Sequence, residues 1–162
     1  MVSVSQPDHS ASEGGGQRGY GKGRQRDEPN FEALPDSLPP QNLEAEEAVL
    51  GGILLDPDAI GRVADVLQAE AFYLGAHREI FRTAVMLHSQ GKPTDLTAMT
   101  AWLADTGSLE KVGGSSRLVE LVERVASTAS IEQVARLVMD KFLRRQLIRS
   151  GNEVIQLGFD QS

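Results

Sequence analysis

With 162 residues, a formal net charge of −7 and no cysteine, the chain has room for one domain plus a tail and excludes both a disulfide framework and a thiolate metal site. His9, His77 and His88 are too few and too scattered for a zinc cluster. No apolar run approaches the ~20 residues that span a bilayer and no signal-peptide core follows Met1, so a cytoplasmic protein without membrane contact is expected. The acidic balance also argues against a surface that is a nucleic-acid footprint throughout.

Residues 1–38 carry too little apolar surface to offset the entropy of ordering, so they are expected to form a disordered tail. Within the tail, Gly16-Gln17-Arg18-Gly19-Tyr20-Gly21-Lys22-Gly23 follows the phosphate-binding P-loop as far as its lysine. Gly23 then stands where the metal-binding Ser or Thr belongs. No strand pattern precedes the run and no helix pattern follows, so nothing would hold a cradle of backbone amides in shape. A flexible basic tail is the better reading of this run.

Pro39-Pro40 forbids helix just before Gln41. Asn42 is suited to cap a helix over 43–55, and Glu44, Glu46 and Glu47 place negative charge where the helix dipole favours it. Leu43, Glu47, Leu50 and Leu54 share one side of this helix, with Val49 and Ile53 beside them. Gly51-Gly52 is the odd feature, since each glycine costs about 1 kcal/mol against alanine inside a helix. A close helix crossing explains it; backbone in contact with a ligand is the other explanation.

Asp56-Pro57-Asp58 breaks the chain, and Asp56 or Asp58 caps a second helix to about residue 68, with Ile60, Val63, Ala64 and Leu67 inward. A turn over 69–74 carries Phe72 and Tyr73. The next helix, 76–90, has the stripe His77, Ile80, Phe81, Ala84, Leu87 and His88, and Gly91 ends it. Asp95 caps a helix with Leu96, Met99, Trp102 and Leu103 on its core side. After a loop over 108–114, a short helix over 115–125 presents Leu118, Leu121, Val122 and Val125. Small residues over 126–130 connect it to a last helix, 131–157, which Ser130 caps.

On that last helix Ile131, Val134, Ala135, Val138 and Phe142 form one face, and Met139, Leu143, Leu147 and Val154 form a second. The apolar arc spans roughly 220°, well beyond the single stripe of a surface helix. It needs cover on two sides. The preceding helix can supply one and another copy of the chain the other, so self-association through the last two helices is expected. No segment shows a sustained period of two. The expected fold is all-α: a compact helical lobe over 39–114, then a helical hairpin over 115–158 ending in a long C-terminal helix.

Chemistry is sparse. Glu44 and Glu47 lie within one turn, as a metal or acid–base pair requires, but no histidine or basic partner accompanies them in the local sequence. There is no Ser/His/Asp order, metal motif or intact phosphate loop, so no catalytic, cofactor-binding or metal-binding residue is assigned. His77 is expected as a hydrogen-bonded core residue and His88 as a partly buried one near a helix C-terminus. Trp102 is expected in the core with its indole N–H on a carbonyl. Lys141, Arg144, Arg145 and Arg149 stand out in an acidic chain. Either they solvate the exposed side of the last helix or they form a docking patch; without interleaved aromatics they are not a stacking platform for bases.

Pro39-Pro40-Gln41-Asn42-Leu43-Glu44-Ala45-Glu46 with Leu50-Gly51-Gly52 closely resembles the opening of bacterial replicative DNA helicases of the DnaB type. The resemblance continues through Phe72-Tyr73, His77-Arg78-Glu79-Ile80-Phe81, Gly91-Lys92-Pro93-Thr94-Asp95-Leu96, Leu103, Val112-Gly113-Gly114 and Arg144-Arg145-Gln146-Leu147-Ile148. It covers 38–160, and the motifs stand in family order. Each alone is weak; the ordered series is specific.

The resemblance implies an all-α lobe plus hairpin. It implies hairpins that pair into dimers, with three dimers forming a collar over a hexameric motor ring that works on DNA with ATP and Mg. It implies that this collar binds the C-terminal domain of primase. By the same resemblance, self-pairing falls to Leu118, Leu121, Val122, Val134, Val138 and Phe142. Lys141, Arg144 and Arg145 are candidates for contacts outside the pair. The family's motor domain, with its true P-loop, has no counterpart in these residues, and 159–162 fall where its linker would begin. Neither ATP turnover nor unwinding is therefore expected of this chain. Two other functions compete: the helicase-binding domain of a primase, which has a similar lobe and hairpin, and an unrelated dimeric all-α regulator, whose basic helix would bind duplex DNA with steep salt dependence. The opening motif favours the helicase.

Overall fold

The structure, a computed structural model, describes residues 38–125, 128 and 130–159. The expected tail up to residue 37, including the P-loop-like run 16–23, lies outside the described residues. So do Ala126, Ser127 and Ala129 of the connector and residues 160–162 of the expected linker. Every regular element among the described residues is helical.

Asn42 accepts a hydrogen bond from the Ala45 amide at 3.0 Å and starts α1, Leu43–Leu55. After its first turn this helix is buried on nearly every side, with Val49, Leu50, Ile53 and Leu54 at most 2 % exposed. A helix apolar all round belongs inside a core. The rest of the chain packs around it. α2, Ala59–Val63, is short. It was expected to reach residue 68 but stops after one turn, and hydrogen bonds from the Val66 and Leu67 amides to the Val63 carbonyl close the chain into a turn. That turn seats Leu67 in the core and leads to a 3-10 turn, Ala69–Ala71.

α3, Gly75–Ser89, buries His77, Ile80, Phe81, Ala84 and Leu87. His88 is exposed, a correction to its expected partial burial. It lies at the C-terminal edge of the stripe, where the helix leaves the core. Phe81 meets Phe72 with ring centroids 5.0 Å apart. Asp95 caps α4, Leu96–Asp105, accepting from the Thr97 and Ala98 amides. Trp102 is half-buried and not core, with the Lys92 ammonium 4.6 Å above its ring centroid. A 3-10 turn, Glu110–Val112, and Gly113 with φ +97° lead into α5, Gly114–Glu123. α6, Ile131–Phe159, closes the fold, and its Val134 amide bonds the Ser130 carbonyl.

Gly51 and Gly52 explain how α1 holds both of the last helices. A Cβ on Gly51 would stand 2.1 Å from the Leu121 carbonyl oxygen of α5. A Cβ on Gly52 would stand 2.9 Å from Ile131 Cδ1 of α6. Adjacent helical residues point roughly 100° apart, so the pair opens two neighbouring sides of α1 to two different helices. Both legs of the expected hairpin therefore pack on α1, and among the described residues they do not pack on each other. The close crossing is real, and α1 is its centre.

Candidate functional site

Charged side chains tie the elements together at three places, two of them on α1, and none of these ties was legible in the sequence. Glu46, one turn into α1, is 1 % exposed. Its carboxylate accepts from the Tyr73 amide at 2.6 Å and lies 2.8 Å from Nδ1 of His77. A carboxylate only accepts, so that contact places the ring proton of His77 on Nδ1. His77 is thus the hydrogen-bonded core residue that its place on the apolar stripe suggests.

Glu47, the next residue, faces α5. It accepts from Arg117 at 2.6 Å and also pairs with Arg124. Burial pushes the Glu47 carboxyl up, but hydrogen bonds from Arg117 and Arg124 and their charges together hold it below its ordinary value. Arg117 is pushed up in turn, chiefly by its hydrogen bond to Glu47.

Arg145 and Arg78 form the third tie. Arg145 of α6 donates to the Pro40 and Ala71 carbonyls, each at 2.6 Å. Arg78 of α3 donates to the Phe72 and Tyr73 carbonyls at 2.7 and 3.1 Å. Three consecutive carbonyls, 71 to 73, are therefore satisfied by two guanidinium groups. Arg145 also lies 5.7 Å from the Tyr73 ring centroid and 5.8 Å from that of Phe142. Burial lowers the Arg145 pKa; the charge of Glu46 opposes this and that of Arg78 adds to it. A guanidinium remains charged in such a setting.

The residues expected to self-pair are mostly consumed by this packing. Leu118, Leu121, Val138 and Phe142 are buried within the core, and Val122 and Val134 are half-buried against it. Within one chain it is α1 that covers the face on which Leu118, Leu121, Val138 and Phe142 lie. Arg145 is half-buried, with two of its donors already on the Pro40 and Ala71 carbonyls. Lys141 is half-buried, and Arg144 is exposed with its guanidinium on Asp140 at 2.9 Å.

The uncovered apolar surface lies further along α6. Leu143, Leu147, Val154 and Leu157 are 54 %, 73 %, 68 % and 72 % exposed. With Ser150 they follow the alternating four-and-three spacing of a coiled-coil seam. Ile148 and Ile155 flank it, also exposed. Every residue over 146–159 is exposed, so this half of α6 projects from the body. Gly151 and Gly158 lie on the projecting half, and neither would meet anything within 4 Å if given a Cβ. Sequence periodicity signalled a second apolar face; only the fold shows which part of it stays open.

No group of three or more metal-ligating side chains that could hold an ion occurs among the described residues, and no described helix is long and apolar enough to cross a membrane. Fold and site define an all-α domain tied internally by a few charged side chains, whose last helix is left partly uncovered. Residues 38–140 match the profile of the DnaB-like helicase N-terminal domain, and the chain belongs to that family. It is 58% identical over 123 residues to a replicative DNA helicase DnaB of a Nostoc species, covering 76% of this chain and 14% of that protein. It is 42% identical over 126 residues to the replicative DNA helicase DnaC of Bacillus subtilis, covering 78% and 28%. The crystal structure of the N-terminal domain of DnaB helicase from Mycobacterium tuberculosis superposes with a TM-score of 0.73 at 36% identity, covering 76% of this chain and 89% of that one. A DnaB-like replicative helicase, solved in a study of its interactions with primase, gives a TM-score of 0.65 at 34% identity over 71% of this chain and 27% of that one. The chain thus spans less than a third of the length of these two helicase relatives.

Proposed function

We propose that this segment is the non-catalytic collar domain of a cytoplasmic replicative DNA helicase, serving dimer and hexamer assembly and docking of the primase C-terminal domain. The observation that carries it is the projecting half of α6. A helix of this length standing in water is marginal by itself, and an apolar coiled-coil seam on it is stabilised by a partner helix. A second copy, seam to seam, provides that cover. ATP, Mg and the unwinding of DNA belong, in this reading, to the motor part of the relatives, and this segment has no ATP chemistry of its own.

Two measurements test the proposal together. The solution mass at tens of micromolar is expected to exceed that of a monomer, and calorimetry with the cognate primase C-terminal domain is expected to show saturable binding. A monomer that binds no primase overturns the reading. An assembled oligomer that binds no primase would retain the assembly role and remove the docking role. Clean protein that hydrolyses ATP would contradict the non-catalytic assignment.

A further inference from the structure

A cleft of about 420 Å³ opens beside the Arg78–Arg145 tie, walled by Pro39, Tyr73 and Phe142. Arg149 also lines it, one helical turn beyond Arg145 on α6. In a chain of net charge −7, three guanidinium groups converge here. None of the three takes part in an ion pair among the described residues, where Arg62, Arg82, Arg117, Arg124 and Arg144 all do. Arg78 and Arg145 each commit two donor contacts to backbone carbonyls. Each guanidinium has five N–H groups, so donors remain on both. Their positions are already set by the carbonyls, and little side-chain freedom is left to lose on binding.

Two carboxylates nearby, against three guanidinium groups, offset the charge of the cleft only in part. Glu70 lines it but shares its charge with Arg82 at 3.6 Å. The charge of Glu46 acts on Arg145 from behind the cleft, while its oxygens face the Tyr73 amide and His77 and so do not close the arginines off. Gln68 and Gln146 add neutral amide donors to the lining.

We propose that the cleft between Arg78, Arg145 and Arg149 binds a phosphorylated small molecule. A carboxylate has two oxygens, which one or two guanidinium forks satisfy. Three forks around one cleft suit a tetrahedral group with three terminal oxygens. The volume lies within the roughly 300–1,000 Å³ range of small-molecule sites and exceeds what one surface ion contact needs. A compact anion feels the local field of the cleft, whereas an extended polyanion is repelled by the acidic surface along its length. The inference stands apart from the collar role, since it uses none of the exposed α6 seam.

The test is a titration of the 162-residue chain with inorganic pyrophosphate, following arginine Nε–H signals by NMR. Saturable shifts at Arg78, Arg145 and Arg149 are expected. Arg149→Gln, at an exposed and unpaired position, is expected to weaken binding about tenfold with unchanged melting temperature. Arg149→Lys should restore part of the loss. Absence of saturation, shifts confined to other arginines, or equal binding by Arg149→Gln would overturn the proposal. A hexaglutamate peptide or a short oligothymidylate that binds these arginines more tightly than pyrophosphate would also overturn it, in favour of an acidic partner segment or single-stranded DNA respectively.

Discussion

Glu46 and Glu47 are neighbours in the chain and do different work. Glu46 turns inward to Tyr73 and His77, and Glu47 turns sideways to Arg117 and Arg124. The folded-state pKa of Glu47 is depressed, so its pairing stabilises the fold above the ordinary value near 4.5. That contribution is lost as pH falls through the lower folded-state value. Glu47→Gln is expected to destabilise by about 1 kcal/mol at neutral pH. Urea unfolding as a function of pH checks it: the gap between variant and parent should shrink below pH ~4.5, and a gap constant down to strong acid would refute the assignment. Gly51 is the second residue with a sharp prediction. Gly51→Ala gains about 1 kcal/mol of helix propensity. Its methyl group would have to displace the Leu121 carbonyl, 2.1 Å away, which is backbone and cannot rotate aside. A net loss of about 3 kcal/mol is expected by chemical denaturation, whereas an unchanged midpoint would mean that α1 and α5 separate easily.

Helix α6 is two helices in physical terms. Its first half is bound to the core through Ile131, Ala135, Val138 and Phe142. Its second half carries the exposed seam from Leu143 to Leu157. Changing Leu147 and Val154 together to Lys removes apolar surface that contributes nothing to the protomer's own packing. The double variant is expected to keep its helical circular dichroism and its melting temperature within a few degrees when monomeric. Its self-association should weaken by at least tenfold in sedimentation equilibrium, since two apolar side chains leave the seam. Unchanged association would place the pairing surface elsewhere. The same division explains the self-pairing residues. Leu118, Leu121, Val138 and Phe142 have the right chemistry for an interface, but the nearest helix to cover them is α1 of the same chain.

Because α1 touches every other α-helix, the described residues of the body, up to 145, lack a natural place to open without disturbing the centre, and only the projecting half of α6 can fray by itself. Equilibrium unfolding is expected to be one cooperative step, with Trp102 fluorescence and far-ultraviolet circular dichroism giving coincident curves. Trp102 sits on α4, far in sequence from α6, the longest single contributor to the helical signal. Separate transitions would show that α6 releases first. The charged ties join the same elements: Glu46 links α1 to α3, Glu47 links α1 to α5, and Arg145 links α6 to the segments at 40 and 71.

What the sequence determined by itself is local. Asn42 and Asp95 cap the helices they were expected to cap, and the apolar spacing of α3 names its buried face, because caps and periodicity depend on residues within a turn or two. Gly51-Gly52 announced a close crossing, since a bare helix surface has few other uses. The ordered motifs from Pro39 onward were enough to assign the family. The identity of the crossing helices was decided only by the tertiary structure. So were the pairing of Glu46 with His77 and of Glu47 with Arg117, 31 and 70 residues apart, and the withdrawal of Arg145 to the Pro40 carbonyl, 105 residues away. A charged side chain at a helix position is ordinarily solvated, and its own segment does not reveal the buried donor that will meet it. That donor arrives only when packing around α1 excludes water and leaves each enclosed charge the partner it needs.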